Sequence, residues 1–65
     1  MFALNRFAAL PAAMLLSLVN TQLRDHFSSL DELADYHDIR INELCAYLEA
    51  GGYIYVAEQN QFKAK

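Results

Sequence analysis

The sequence contains few of the residues that usually stabilise a very small protein. It has one cysteine, Cys45, in 65 residues, which excludes an intramolecular disulfide and predicts a reducing, cytoplasmic location. The two histidines, His26 and His37, stand at no zinc-binding spacing from it, so we expect no metal and no other cofactor. A chain of this length buries only about 60% of its unfolded surface, and it must then rely on dense packing or on self-association.

Basic residues and long apolar runs are also scarce. Lys and Arg number five against eight Asp and Glu, a net charge of −3, which argues against a general attraction to nucleic acid or to anionic membranes. The apolar run from Phe7 to Val19 is shorter than the roughly 20 residues that span a bilayer. Asn20, Thr21 and Gln22 follow it in place of a small-residue cleavage site, so we expect neither a membrane nor a secretory role.

A helical period begins at Pro11, a residue well suited to the first turn of a helix. The positions on one broad arc of this helix are apolar: Ala12, Leu15, Leu16, Leu18, Val19, Leu23 and Phe27. Such an arc predicts a central core helix that ends near Phe27. Residues 1–9 show neither a turn signal nor a clear period, and we interpret them as an apolar arm that carries the candidate self-association residues Phe2, Leu4 and Phe7.

Two shorter helices are predicted after it. Ser29 and Glu32 have the spacing of a capping box, which predicts a helix from Leu30 to about His37. The side chains that this helix would bury are Leu30, Leu33 and Ala34. The third helix is predicted from Ile41 to Ala50, with Ile41, Leu44, Cys45 and Leu48 at helical spacing. Gly51 and Gly52 then supply the left-handed residue that ends many helices.

The end of the chain predicts a β-hairpin. Tyr53 to Val56 is rich in β-branched and aromatic residues, a turn follows at residues 58–60, and Gln61 to Lys63 returns. The predicted fold is therefore mainly α with a small β-hairpin, in the α-α-α-β-β order of a winged helix-turn-helix domain, and residues 10–65 form this single domain. Strand alternation lets either the two tyrosines of the first strand or Ile54 and Val56 face the helices.

Short motifs along the chain form a combination typical of one family. They are Leu10-Pro11, Met14-Leu15-Leu16, Asn20, Leu23-Arg24-Asp25, Ser29-Leu30-Asp31-Glu32-Leu33, Gly52-Tyr53 and Asn60-Gln61-Phe62. Through them the chain resembles, from about Leu10 to Phe62, a "domain of unknown function" family of short bacterial proteins. That resemblance implies no activity, ligand or catalytic residue. The chain also resembles winged helix-turn-helix proteins, through Leu33-Ala34, Ile39, Leu44, Leu48 and Gly52-Tyr53-Ile54. It departs from their pattern at Arg40, where a small capping residue is usual.

The helix-turn-helix order suggests DNA binding, for which the candidate contacts are Arg40, Asn42, Lys63 and Lys65. A helix that reads the major groove needs several Lys or Arg for the phosphates, whereas acids dominate the second and third helices here. We therefore expect a small cytoplasmic protein–protein interaction module that self-associates, with a partner that the sequence does not identify. The alternative is a winged-helix nucleic-acid-binding regulator.

The residues give little support to a catalytic function. The sequence shows no nucleophile–base pair, phosphate loop or carboxylate dyad, so we expect no enzyme and no catalytic residue. Cys45 lies on the apolar stripe of the third helix, as buried structural cysteines do. Tyr47, Tyr53 and Tyr55 are the candidate interaction surface, because amphipathic tyrosines are typical of protein interfaces. Ordinary packing of the two strand tyrosines against the helices is the alternative.

Overall fold

A computed structural model describes residues 4–65, with side chains described from Arg6 onward. A short 3₁₀ segment, Leu4–Ala9, precedes three helices and two strands. These are α1 (Ala12–Asp25), α2 (Leu30–Tyr36), α3 (Ile41–Ala50), β1 (Tyr53–Val56) and β2 (Gln61–Ala64). The strands form one antiparallel pair. The predicted α-α-α-β-β order, mainly helical, is confirmed.

The ends of α1 differ slightly from the prediction. Pro11 lies just outside the helix, with φ −59° and ψ 146°, and its carbonyl accepts the N–H of Leu15. The helix ends at Asp25 rather than near Phe27, because His26 and Phe27 both donate to the carbonyl of Gln22. The bond from His26 is a regular i−4 bond, but the bond from Phe27 reaches back five residues, and this wider turn ends the regular α-helical ladder.

The start of α2 is capped by two side chains. The Ser29 hydroxyl accepts the backbone N–H of Glu32 at 3.2 Å, and the Glu32 carboxylate accepts the N–H of Ser28 at 3.0 Å. The Glu32 contact falls one residue earlier than in the standard capping box, but it satisfies a free backbone donor in the same way. At the other end, Asp38 adopts a left-handed conformation with φ 57° and separates α2, which ends at Tyr36, from α3.

The core lies between the three helices and the inner face of the hairpin. Among the side chains of residues 6–65, those that are buried are all apolar: Leu15, Val19, Leu23, Leu30, Leu33, Ala34, Leu44, Leu48 and Phe62. They include the α2 residues that the sequence predicts to be buried. Ile41 and Cys45 of the α3 stripe are half-buried at its edge. The core is small, as expected for a domain of this length.

The inner face of the hairpin is the one that carries the tyrosines. Tyr53 and Tyr55 are half-buried and pack on the core, whereas Ile54 is 38% exposed on the outer face. Tyr55 stands opposite Phe62 in the register, and their ring centroids lie 5.4 Å apart. Of the two orientations that alternation allows, the structure therefore has the tyrosines toward the helices.

Two asparagine side chains attach the hairpin to α1. Asn20 makes both hydrogen bonds of a paired strand residue: its amide accepts the Phe62 N–H at 2.7 Å and donates to the Phe62 carbonyl at 3.0 Å. Asn60, at the left-handed end of the hairpin loop, donates to the carbonyls of Leu23 and Phe27 at 3.1 and 3.0 Å. These carbonyls lie at the end of α1, where the helix itself supplies no donor.

The second attachment extends to α2 through Tyr55. Its hydroxyl donates to the Asn60 side-chain oxygen at 2.7 Å and accepts the backbone N–H of Leu30 at 3.3 Å. Leu30 is the first residue of α2, so one phenol joins the hairpin, its loop and the start of a helix. The tyrosine hydroxyl is thus satisfied inside the domain, as half-buried tyrosines require.

Each glycine after α3 has a different role. Gly52 has φ +98°, the left-handed conformation that ends the helix and turns the chain into β1. Gly51 allows close packing instead, because a Cβ there would lie 2.5 Å from the Cβ of Ala12. The pair therefore ends α3 and lets it approach the start of α1.

Replacement of Asn20 by Ala tests the first attachment. The variant leaves the N–H and carbonyl of Phe62 without their partners, and we expect a loss of about 1–3 kcal/mol in the free energy of unfolding. For a domain this small, each 1 kcal/mol lowers Tm by roughly 4–8 °C. Thermal and chemical denaturation followed by circular dichroism measures both. Asn42→Ala, at an exposed position on α3, is the matched control and should change stability by less than about 0.5 kcal/mol.

Candidate interaction surface

The segment from α2 to α3 carries a large excess of negative charge. We call its carboxylates the acidic surface: Asp31, Glu32, Asp35, Asp38, Glu43 and Glu49. Each of these residues is exposed. The basic residue of the same segment is Arg40, whose guanidinium lies 3.7 Å from the Glu43 carboxylate. An exposed pair of this kind is weak, yet it places the cation beside an acid of its own helix, so the segment presents mainly negative charge.

The candidate nucleic-acid contacts do not form one basic patch. Arg40 and Asn42 are exposed at the start of α3, within the acidic surface. Lys63 and Lys65 lie on β2 and after it, and β2 packs on α1, whereas α3 packs on β1. The four residues are therefore divided between two sides of the hairpin, and the half near α3 is surrounded by carboxylates.

The candidate tyrosines take part in internal contacts. Tyr53 and Tyr55 line the core, as described above, and Tyr47 is half-buried with its hydroxyl donating to the carbonyl of Leu10. The structure thus brings none of the three to a fully exposed position. Their role as an interaction surface stays a prediction, limited to the parts of the rings that the domain leaves uncovered.

The candidate self-association arm is described only in part. Phe2 and the side chain of Leu4 lie outside the described residues. Phe7 is half-buried, and its ring packs edge-on against Tyr47 with centroids 5.5 Å apart. One side of Phe7 is therefore already covered by α3 of the same chain. The arm's role in self-association stays a prediction.

A groove lies beside the acidic surface, between the start of α2, the first half of α3 and the end of β1. It has a volume of about 440 Å³, and Leu30, Ile41, Cys45 and Tyr55 form its apolar part. Asp31 and Asn42 also line it. Sequence reasoning did not find this groove, because it is formed by three elements that are distant along the chain.

The thiol of Cys45 is poorly suited to nucleophilic chemistry in this groove. Burial raises its pKa, and the nearby charges of Glu49 and Asp31 raise it further. A raised pKa keeps the group as a thiol at neutral pH, whereas the thiolate is the reactive form. Cys45 therefore contributes apolar lining to the groove.

A second pocket lies at the end of α1, next to the end of α2. Phe27, Tyr36 and His37 contact one another there, with ring centroids 5.0–6.0 Å apart. The pocket has a volume of about 380 Å³, and Gln22 and His26 complete its lining. Tyr36 is 65% exposed. The rings leave an apolar patch with no carboxylate in its lining.

Adjacent acid and base groups in this region do not pair for catalysis. Asp25 is held by Arg24, whose Nε and Nη2 donate to the two carboxylate oxygens at 2.9 and 3.1 Å. Hydrogen bonding from this guanidinium lowers the pKa of the Asp25 carboxyl. His26 accordingly lacks the carboxylate partner that a general base would use. From residue 4 to residue 65, no group of three His, Cys, Asp or Glu could hold a metal ion.

These features define a small three-helix domain with a C-terminal hairpin and an acidic helical surface. The chain belongs to the DUF4250 family, a domain of unknown function, whose family model matches residues 11–62. The match extends from the residue before α1 into β2, and it confirms the family resemblance that the sequence motifs predict. No curated protein and no solved structure matches the chain. Across residues 4–65, no helix combines the length and apolar character needed to cross a bilayer.

His37 makes stability depend on pH. Its Nε2 lies 2.7 Å from the Gln22 Oε1, and burial lowers its pKa below the ordinary value of 6.5. At a pH between the two pKa values, His37 is therefore protonated in the unfolded chain and neutral in the folded chain. The stabilisation is present above about pH 6.5 and is lost as the pH falls through the lower folded pKa.

We expect His37→Gln to weaken this pH dependence, because glutamine does not titrate. Urea denaturation at about pH 7.5, 6.5 and 5.5 should show a steeper loss of unfolding free energy for the unmodified protein than for the variant. An NMR titration of the His37 ring gives the folded pKa directly. A value at or above 6.5 would contradict the assignment.

Proposed function

We propose that this domain is a protein–protein interaction module that acts through the acidic surface of α2 and α3. The observation that carries the proposal is the exposure of six carboxylates on a segment whose one guanidinium lies beside Glu43. Exposed charge of one sign steers partners of the opposite sign and fixes their orientation. The partner face that suits it is basic.

The same charges disfavour the nucleic-acid alternative. Binding of duplex DNA depends on Lys and Arg that replace counterions along the phosphates. In a helix-turn-helix domain α3 would enter the major groove, and here it would bring Glu43 and Glu49 toward the phosphates together with α2. The two lysines of the β2 region lie on the other side of the hairpin, where they would not offset this repulsion.

The groups that could act in catalysis are in arrangements that favour a non-enzymatic role. Asp25 is bonded to Arg24, and the Cys45 thiol has a raised pKa. His37 is bonded to the Gln22 amide. An interaction module also fits the reducing, cytoplasmic location that the lone cysteine predicts.

Neutralisation of two acids in the acidic surface tests the proposal. The protein is immobilised and exposed to a lysate of the native host. The captured proteins are then quantified by mass spectrometry. We expect Asp35→Asn/Glu43→Gln to reduce a specifically captured protein several-fold, because exposed charges contribute to steering and orientation. Asp25→Asn/Glu58→Gln, which removes the same charge outside the acidic surface, is the matched control and should capture it normally.

Duplex DNA provides the contrary outcome for the same proposal. Fluorescence anisotropy with a labelled duplex should show no submicromolar binding at about 150 mM salt. Submicromolar affinity that weakens in Arg40→Gln would overturn the interaction-module proposal and favour the nucleic-acid regulator. If both double variants captured the partner equally well, the partner would not bind through the acidic surface.

Self-association is a separate part of the proposal and is supported by the apolar arm and the small core. We expect size-exclusion chromatography with light scattering to give the mass of a dimer at about 100 μM protein. Phe2→Asp should reduce the dimer fraction, because a charge opposes burial at an apolar interface. Ala46→Asp, which places the same charge at an exposed position on α3 outside the arm, is the control. A strict monomer at this concentration would contradict self-association, and a Phe2→Asp variant that stays dimeric would remove the arm's role.

A further inference from the structure

The two outer edges of the hairpin differ in how they are protected. On β2, the side chain of Asn20 occupies the N–H and carbonyl of Phe62. Lys63 adds a charge to the same strand. Both devices oppose pairing with another strand, since edges are commonly protected by side-chain contacts and by lysine. The β2 edge is therefore protected against pairing with a further strand.

The β1 edge has free hydrogen-bonding groups. Because the backbone groups of Phe62 turn toward Asn20, Phe62 and its partner Tyr55 form a pair without mutual hydrogen bonds. Pairs alternate along an antiparallel ladder, and the bond from Lys65 N–H to the Gly52 carbonyl at 2.9 Å fits this alternation. The N–H and carbonyl groups of Tyr53 and Tyr55 consequently point away from β2, and none of them has a hydrogen-bond partner within residues 4–65.

The strand is short, with four residues, but it lacks the charged or proline side chains that often protect an edge. Its sequence is Tyr-Ile-Tyr-Val, without a charge or a proline, and all four residue types favour strands. Unpaired backbone groups that are not bonded to protein must reach water, since burying them without a partner is costly. The β1 edge is therefore an open template for a further strand.

The groove described above lies at the end of this strand. Tyr55 and Ala57 line one side of it, and Ile41 and Cys45 of α3 line the other. An added strand at the β1 edge would place alternate side chains toward this groove, because side chains alternate between the two faces of a sheet. The groove thus supplies side-chain contacts next to free backbone groups.

The charge around the groove is negative. Asp31 lines it, no Lys or Arg does, and the charge of Glu49 reaches Cys45 from the same helix. Other carboxylates of the acidic surface follow along α2 and α3. A segment that enters the groove therefore meets an environment that favours Lys or Arg side chains.

We propose that the β1 edge binds an extended peptide segment of a partner protein by strand addition, and that this segment carries Lys or Arg at alternate positions facing Asp31. The inference rests on the proposed function and specifies the partner's chemistry and its mode of binding. A second copy of this chain fits the edge less well. Its own β1 is uncharged, and pairing two such edges would bring two acidic surfaces together.

The test uses a fluorescein-labelled eight-residue peptide in which lysine and valine alternate. Anisotropy at about 50 mM salt should show saturable binding with a Kd of roughly 10–100 μM, the weak range expected for a small interface. Hydrogen exchange followed by NMR should show the Tyr53 and Tyr55 amides at least about tenfold slower in the complex. Binding should weaken about tenfold when the peptide's edge-facing amides are N-methylated, and a glutamate–valine peptide should not bind.

A matched pair of protein variants tests the charge. Asp31→Asn should weaken the lysine peptide about threefold, in line with the small energy of exposed ion pairs. Asp25→Asn removes the same charge from the end of α1, outside both the acidic surface and the groove lining, and should leave peptide binding unchanged. Both residues are exposed, and circular dichroism checks that each variant is folded.

Four results would overturn the inference: no binding of the lysine peptide, equal binding of the glutamate peptide, equal binding after N-methylation, and unchanged exchange at Tyr53 and Tyr55 in the complex. If the Tyr53 and Tyr55 amides exchanged slowly without peptide, and more slowly as the protein concentration rose, the edge would instead bind a second copy of this chain. Loss of host-protein capture in Asp35→Asn/Glu43→Gln, combined with a failed peptide experiment, would leave the interaction module standing and reject only strand addition.

Discussion

Attachment of the hairpin to α1 by two asparagine amides is the interaction on which the rest of the structure depends. A two-stranded hairpin alone is at best marginally stable in water, and the single cysteine of the sequence excludes an intramolecular disulfide that could hold it. Asn20 completes the ladder of β2, and Asn60 bonds the open carbonyls at the end of α1. Phe62 enters the core between these two attachments, where it is 2% exposed. The two amides therefore fix the orientation of the hairpin on α1, which the burial of apolar surface alone does not do because the hydrophobic effect is non-directional.

These attachments also decide which surfaces remain available. With Phe62 held toward α1, its partner Tyr55 must face the core, and the phenol then reaches the first N–H of α2. The tyrosines are consequently used in part for internal contacts, while the backbone edge of β1 is left open. The same geometry that stabilises the hairpin thus exposes hydrogen-bonding groups on one side of it only.

Periodicity and end signals predict most of the fold. The helical spacing of Leu44 and Leu48 and the capping pair Ser29 and Glu32 are local features, and the structure has them on α3 and α2 as predicted. The hairpin orientation could not be predicted, because alternation fits both faces and the decision depends on hydrogen bonds between distant residues. The groove was missed for the same reason. A signal was nevertheless present in the strand sequence of β1, which has neither the charge nor the proline that often protects an edge.

The order of the elements suggests DNA binding, whereas the charges suggest binding of a basic protein, and the charges carry more weight. Many unrelated activities share one fold, so the order of helices and strands does not itself indicate DNA binding. Affinity for duplex DNA requires cations at the phosphates. The structure keeps Arg40 beside Glu43 and leaves the acids of α2 and α3 exposed. A basic protein partner satisfies this surface, and an open strand edge beside it supplies the backbone contacts that charge alone does not.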